Sequence, residues 1–152
     1  FWGVIHPLEA CLQQHVWDGT GVDLAVRRKS DWLVADLVYL GHTMQSVHHL
    51  PLCRSLPDLS TQAAAFGCLY VLEGSTLGGR VILKMVERAL QLDPARGARF
   101  YAGYGERTGQ MWLALLSALE RNLSSPEEAE AAVFGAQQTF EHLDGWLNRP
   151  FP

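Results

Sequence analysis

A chain of 152 residues, 48% hydrophobic and 18% charged, is long enough for one domain with a sizeable core and too apolar to be disordered. Its net charge of −4 argues against nucleic acid, which demands a basic surface. No apolar run reaches the roughly 18 residues of a spanning helix, so no membrane partner is expected.

Three cysteines, Cys11, Cys53 and Cys68, form no C-x-x-C pair. That pattern favours reduced thiols in a cytoplasmic protein over a disulfide framework or a zinc site. No basic n-region or small-residue cleavage site opens the chain. With no initiator methionine before Phe1, the chain is expected to be processed or to lack part of its N-terminus.

Helical periodicity begins at once, with Val4, Ile5, Leu8, Cys11 and Leu12 predicting a helix from Phe1 to about Gln14. Asp18-Gly19-Thr20-Gly21 breaks it. The basic run Arg27-Arg28-Lys29 leads to Ser30, an expected N-cap for a helix over Asp31–Leu40 that Gly41 stops. Residues 42–59, with Pro51 and Pro57, read as a loop with room for one helical turn.

Ser60 or Thr61 is placed to cap a long central helix ending near Leu92, before Asp93-Pro94. A short helical piece is expected over Ala95–Tyr101, a turn at Gly103-Tyr104-Gly105, and a helix over Thr108–Asn122 with Trp112, Leu115, Leu116 and Leu119 inward. Ser125-Pro126-Glu127-Glu128 joins an N-cap, a first-position proline and a capping-box glutamate. The helix it starts is expected to turn Val133, Ala136, Phe140, Leu143 and Leu147 inward. No stretch alternates as a strand would, so the fold class is all-α and the domain single, over 1–152.

The central helix carries Gly74, Gly78 and Gly79, three glycines within six residues. Each costs a helix interior about 1 kcal/mol relative to alanine. Gly74 and Gly78 are four apart and share a face, leaving a flat strip with Gly79 beside it. Such a strip serves either close helix packing or a kink, or else a broad flat ligand lying on bare backbone. Ser75 and Thr76 would then set hydroxyls or water beside that ligand. Periodicity leaves both readings open.

Other chemistry is sparse. None of the six histidines (His6, His15, His42, His48, His49, His142) forms an H-x-x-x-H pair, so no metal site is assigned. Glu9 and Glu73 stand out as carboxylates on apolar helices, where pairing with Arg or Lys or bonding a neighbouring helix is the expected role ahead of general acid–base work. No nucleophile elbow or phosphate loop exists. Arg80, Lys84, Arg107 and the 27–29 run could anchor an anionic ligand. Tyr104 and Trp112 read as core.

The string Leu69-Tyr70-Val71-Leu72-Glu73-Gly74-Ser75-Thr76-Leu77-Gly78-Gly79 resembles the distal helix of the heme oxygenases, in particular the bacterial biliverdin-producing group often paired with bacteriophytochromes. Pro7-Leu8-Glu9, the stretch from Asp31 to Gly41, and Gly103-Tyr104-Gly105 through Trp112 are similar to that group too. The resemblance implies a compact multi-helix domain with a glycine-kinked distal helix over heme, which is both cofactor and substrate. It implies oxidative opening of heme to biliverdin with release of iron and carbon monoxide, using O₂ and electrons from a reductase or ferredoxin. A bacteriophytochrome accepting biliverdin is a further implied partner.

On that mapping Gly74, Ser75, Gly78 and Gly79 form the distal, catalytic wall, and Arg80 and Arg107 join them in holding the cofactor. Ser75 stands where the mammalian-type enzymes carry a water-organising aspartate, which leaves proton delivery unassigned. The family's axial histidine sits on a helix before the one at Phe1–Gln14. No histidine here matches it, so no proximal ligand is assigned and that helix is expected to be missing. Two rival readings remain: a non-catalytic heme- or bilin-binding protein on the same scaffold, and a helical domain whose glycines serve only packing or dimerisation.

Overall fold

In the computed structural model, which describes residues 1–149, the regular elements are helical. Among the described residues these are α1 (Trp2–Leu12), α2 (Ser30–Tyr39), α3 (Met44–His48), α4 (Gln62–Leu90), α5 (Arg99–Ala102), α6 (Thr108–Asn122) and α7 (Pro126–Leu147). Single 3₁₀ turns lie at Ala25–Arg27 and Gly105–Arg107. The all-α expectation holds. Residues 150–152, which the single-domain reading includes, lie outside the described residues.

Local signals set most boundaries. The Ser125 hydroxyl accepts from the Glu128 amide at 3.1 Å, and the Glu128 carboxylate accepts from the Ser125 amide at 3.0 Å, closing the expected capping box. Thr61, not Ser60, caps α4, accepting from the Ala64 amide at 3.1 Å. Gly41 ends the α2 region with φ of 102°, a left-handed conformation that glycine adopts without strain. The helical turn allowed for in 42–59 is α3, capped by Thr43.

Three expectations are corrected. Ser30 does not cap α2; Lys29 holds that position and Ser30 is the first helical residue. Its hydroxyl donates instead to Glu9 Oε2 of α1 at 2.5 Å, tying the two helices together. The piece expected over Ala95–Tyr101 forms later, at Arg99–Ala102, because Asp93 closes a turn over Ala95 to Ala98 first.

The third correction concerns α7, which packs more extensively on α4 than any other pair of elements packs. Gly67 of α4 lies against the backbone of Ala132 and Ala136, and Gly135 of α7 against that of Ala64. A Cβ at either glycine would fall inside contact distance, so the two backbones approach as closely as glycine allows. The buried face of α7 is therefore Ala132, Gly135, Thr139 and Trp146. Val133 and Phe140 lie together to one side of the contact and stay 57% and 58% exposed.

The long helix divides in two along its length. From Ala63 to Glu73 nearly every residue is buried, and Phe66, Cys68, Leu69 and Leu72 join the core with Val4, Leu8, Leu12 and Leu115. Beyond Glu73 the helix continues unbroken through all three glycines, yet Leu77, Val81, Ile82 and Met85 are exposed. The functional question sits in that second half.

Candidate active site beside the glycine strip

The three glycines do not share one explanation. A Cβ at Gly79 would come within 2.6 Å of the Tyr101 carbonyl oxygen, so bare backbone there is needed to seat α5. At Gly74 a Cβ would make ordinary contact with the Trp112 ring at 3.6 Å. At Gly78 it would meet nothing within 4 Å among the described residues. Packing within the chain thus accounts for Gly79 and gives no reason for Gly78.

Gly74 and Gly78 share their face with Val81 and Met85, seven and eleven residues past Gly74. Val81 and Met85 are each 65% exposed. The result is a bare strip that runs into an open apolar surface. A cavity of about 220 Å³ adjoins it, walled by Ser75, Thr76, Gly79 and Ile82 of α4. Trp32 of α2, Phe100 and Tyr101 of α5, and Leu143 and Leu147 of α7 complete most of the wall, with Ile5 and Lys29. Most of this lining is apolar. The Ser75 hydroxyl donates to the Leu72 carbonyl at 2.8 Å, which fixes it on its own helix and leaves its oxygen able to accept.

Under the cavity lies a buried ionic cluster. Glu73, 1% exposed, receives Arg27 Nη1 on Oε2, and both Lys29 Nζ at 2.5 Å and the Tyr104 hydroxyl at 2.7 Å on Oε1. The Lys29 ammonium also donates to the Arg27 carbonyl and lies 5.9 Å from the Trp32 ring centre and 5.6 Å from that of Tyr104. Burial and the neighbouring Glu73 carboxylate push the Tyr104 hydroxyl well above the ordinary tyrosine range. Glu9 is satisfied separately by the Lys29 and Ser30 amides and the Ser30 hydroxyl. Each carboxylate ties helices together, as expected, and the two do not form an acid–base pair.

This overturns one reading of the basic run. Arg27 and Lys29 are 5% and 1% exposed and committed to Glu73, so they do not reach for an external anion. Arg28 pairs on the surface with Asp31 at 3.2 Å. Tyr104 is buried as expected, but it is a hydrogen-bonding member of the cluster, not plain apolar core.

Of the expected site residues, the structure brings Ser75 and Gly79 into the cavity wall and leaves Gly74 and Gly78 on the adjoining strip. Arg80 and Arg107 are exposed and stand outside the cavity lining. Beside the wall residue Phe100 stands Arg99, whose guanidinium lies 4.8 Å from the Trp32 ring centre. Nothing local in the sequence marks Arg99, Trp32 or Phe100 for this role. None of the six histidines lines the cavity: His6 stacks on Trp2 at 4.4 Å, His42 and His49 bond within their own helix or turn, and His142 bonds the Gln138 carbonyl and the Ser55 hydroxyl.

An all-α fold in which a glycine-bearing helix offers a bare strip beside an apolar cavity defines a class suited to a flat apolar ligand, and comparison with known proteins gives the family. The family model described as heme oxygenase matches residues 1–149. A heme oxygenase from Xanthomonas campestris pv. campestris is 34% identical over 117 residues, covering 77% of this chain and 66% of the relative. Heme oxygenase PigA from Pseudomonas aeruginosa is 33% identical over 150 residues, covering 96% of this chain and 71% of the relative. The chain belongs to the heme oxygenase family, oxidoreductases for which heme is both prosthetic group and substrate. The match spans about two thirds of the length of these relatives.

The residues fit one face of such a ligand. A cavity of about 220 Å³ falls below the roughly 300–1,000 Å³ of common ligand pockets, and the open strip at Gly74 and Gly78 extends it in the direction where side chains are missing. The lining suits an apolar ring, and the exposed Leu77, Val81 and Met85 suit its continuation. No histidine is among the residues of the cavity wall.

Proposed function

We propose that this chain is a single heme oxygenase domain that binds heme against Gly74, Ser75, Gly78 and Gly79 and supports its oxidation to biliverdin, with release of iron and carbon monoxide. Gly78 carries the reading. A helix bears a residue costing about 1 kcal/mol at a position where no neighbour among the described residues requires it, beside a cavity with an apolar wall. A flat ligand seated on the strip accounts for it.

Bound heme would supply the oxygen and electron chemistry. The chain's own residues do the rest. Gly74 and Gly78 let the ligand plane approach backbone and present no side-chain acid or base to it. Ile82, Phe100, Leu143 and Leu147 keep bulk water from the ligand's face. Ser75, with its hydroxyl hydrogen held by Leu72, offers an acceptor that orders a water at the strip. Electrons come from a reductase or ferredoxin, and a bacteriophytochrome is the acceptor that the family resemblance suggests. Among the described residues no helix is long and apolar enough to cross a membrane; we place the protein in the cytoplasm.

A second reading, binding of heme or a bilin without turnover, is favoured by one observation: no histidine of this chain lines the cavity. One titration separates the two. Heme is added to the chain with imidazole supplied as axial ligand, absorption is followed, and reductant and O₂ are then introduced. Saturable one-to-one binding, followed by conversion to a biliverdin spectrum, is the expected result. Binding without conversion leaves the second reading. Absence of any saturable spectrum overturns both.

A further inference from the structure

A second apolar surface lies where α4, α6 and α7 meet, beside the Gly67 contact. Tyr70 of α4, Leu119 and Leu123 of α6, and Val133, Ala136 and Phe140 of α7 wall a groove of about 440 Å³. Tyr70, Val133 and Phe140 are 40%, 57% and 58% exposed. The close Gly67 and Gly135 contacts explain why these side chains are left outside, but exposed aromatic and β-branched residues gathered in one groove mark a surface for something else.

The charges around it say what. Helix α7 holds Glu127, Glu128, Glu130, Glu141 and Asp144 and no lysine or arginine, so its charge of −5 exceeds the whole chain's −4. Glu130 and Glu141 adjoin Ala129 and Phe140 of the groove wall, and Glu120 adjoins Leu119 across it; all three are exposed. Arg121, the one cation of α6, reaches away to the Gly21 loop. An apolar floor between acidic walls is complementary to a helix with a stripe of large apolar residues flanked by lysine or arginine. A second copy docking the same face would set two such acidic helices against each other.

We propose that this groove docks a basic amphipathic helix of a partner protein. The occupant presents two or three apolar anchors at i, i+3 or i+4, and i+7 to Tyr70, Val133 and Phe140. Its cations face Glu120, Glu130 and Glu141. Tyr70 packs on Trp112, the ring that faces Gly74, so the groove adjoins the glycine strip, and docking is measured on the heme-free chain.

The test uses two synthetic helical peptides with one leucine stripe, one bearing lysines on its flanks and the other glutamates. Binding to the chain is read by fluorescence anisotropy, and sedimentation of the chain alone is measured first. The lysine peptide should bind, and its affinity should fall about tenfold or more in Val133→Glu and in Glu130→Lys/Glu141→Lys, while the glutamate peptide does not bind. Equal binding of both peptides, binding unmoved by Val133→Glu, or no binding of the lysine peptide overturns the proposal. So does a dimer in sedimentation that Val133→Glu dissociates, because a second copy would then be the occupant. Val133 and the two glutamates are exposed, so loss of the fold does not imitate the result.

Discussion

Lys29 Nζ lies 2.5 Å from Glu73 Oε1, with each side chain 1% exposed. With Arg27 on the other oxygen, this joins the turn before α2 to the residue immediately preceding the glycine strip. The pairing fixes how α4 is rotated about its axis and hence where Gly74 and Gly78 point. Removing one partner of a buried pair leaves an uncompensated charge, which costs roughly 3–5 kcal/mol. Glu73→Ala strands two cations and is expected to lower the melting temperature by about 10 °C or more. Tyr104→Phe removes one hydrogen bond to a charged acceptor and should cost about 2 kcal/mol. Denaturant melts of the two variants check this; a loss under about 1 kcal/mol for Glu73→Ala would show that the pair is not structural.

The glycines should separate by cause. Gly78→Ala meets open space in a helix interior, so stability should rise by about 0.5–1 kcal/mol. Gly79→Ala pushes against the Tyr101 carbonyl and should lose about 1–3 kcal/mol. The ligand reading reverses the order for Gly78: Gly78→Leu keeps the fold but should weaken heme binding at least tenfold. Chemical denaturation and heme titration on the same three variants give both readouts. If Gly78→Leu binds heme as the unaltered chain does, the strip is not the ligand wall.

Buried thiol and phenol protons set an alkaline limit, with Cys11 and Tyr101 raised in the same direction as Cys68 and Tyr104. Burial pushes the Cys68 thiol from its ordinary 9.0 up to about 12, and burial with the Glu73 carboxylate raises the Tyr104 hydroxyl above its ordinary 10.0. Both groups hold their protons more tightly when folded. Their contribution is complete below the ordinary values and is lost as pH rises, from about 9 for Cys68 and from about 10 for Tyr104. Unfolding free energy measured from pH 7 to 11 should therefore be level and then fall above about 9. Tyr104→Phe should flatten the part above about 10. A decline unchanged in that variant would mean another group governs the limit.

Elements whose cause is local were readable from the sequence; contacts between distant residues were not. Ser125 and Glu128 close a capping box three residues wide, and α6 runs from Thr108 to Asn122 as its periodicity indicates. The destination of Arg27 and Lys29 depends on a carboxylate 46 and 44 residues away, so the run read as a free basic patch. The face of α7 was misplaced because large apolar residues outweigh glycine in any periodicity count. Gly67 and Gly135 nevertheless decide which face can approach. Gly78 and Gly79 look alike in sequence and part company only because the Tyr101 carbonyl meets one of them. The glycine motif marks the candidate site in the sequence; the opposite wall of the cavity, from Trp32, Phe100 and Tyr101, required the fold.

Asp36 holds that opposite wall in place. It lies on α2, and its Oδ1 accepts from the Arg99 amide at 2.7 Å and its Oδ2 from the Phe100 amide at 2.8 Å. These are the first amides of α5, a four-residue helix too short to persist alone, and α5 has no side-chain cap from its own N-cap residue Ala98. Asp36→Ala is expected to cost about 1–2 kcal/mol, the range for a lost cap. It should also free Phe100 and Tyr101 from the cavity wall. Asp36→Asn retains one acceptor oxygen and should lose about half as much. Hydrogen exchange distinguishes this local effect from general destabilisation: in Asp36→Ala the amides of Arg99–Ala102 should exchange much faster, while those in the buried half of α4 stay protected. Uniform acceleration across α4 and α5 would instead make Asp36 a residue of the global core. If Arg99–Ala102 keep their protection, α5 is held by the Tyr101–Gly79 contact and not by the carboxylate.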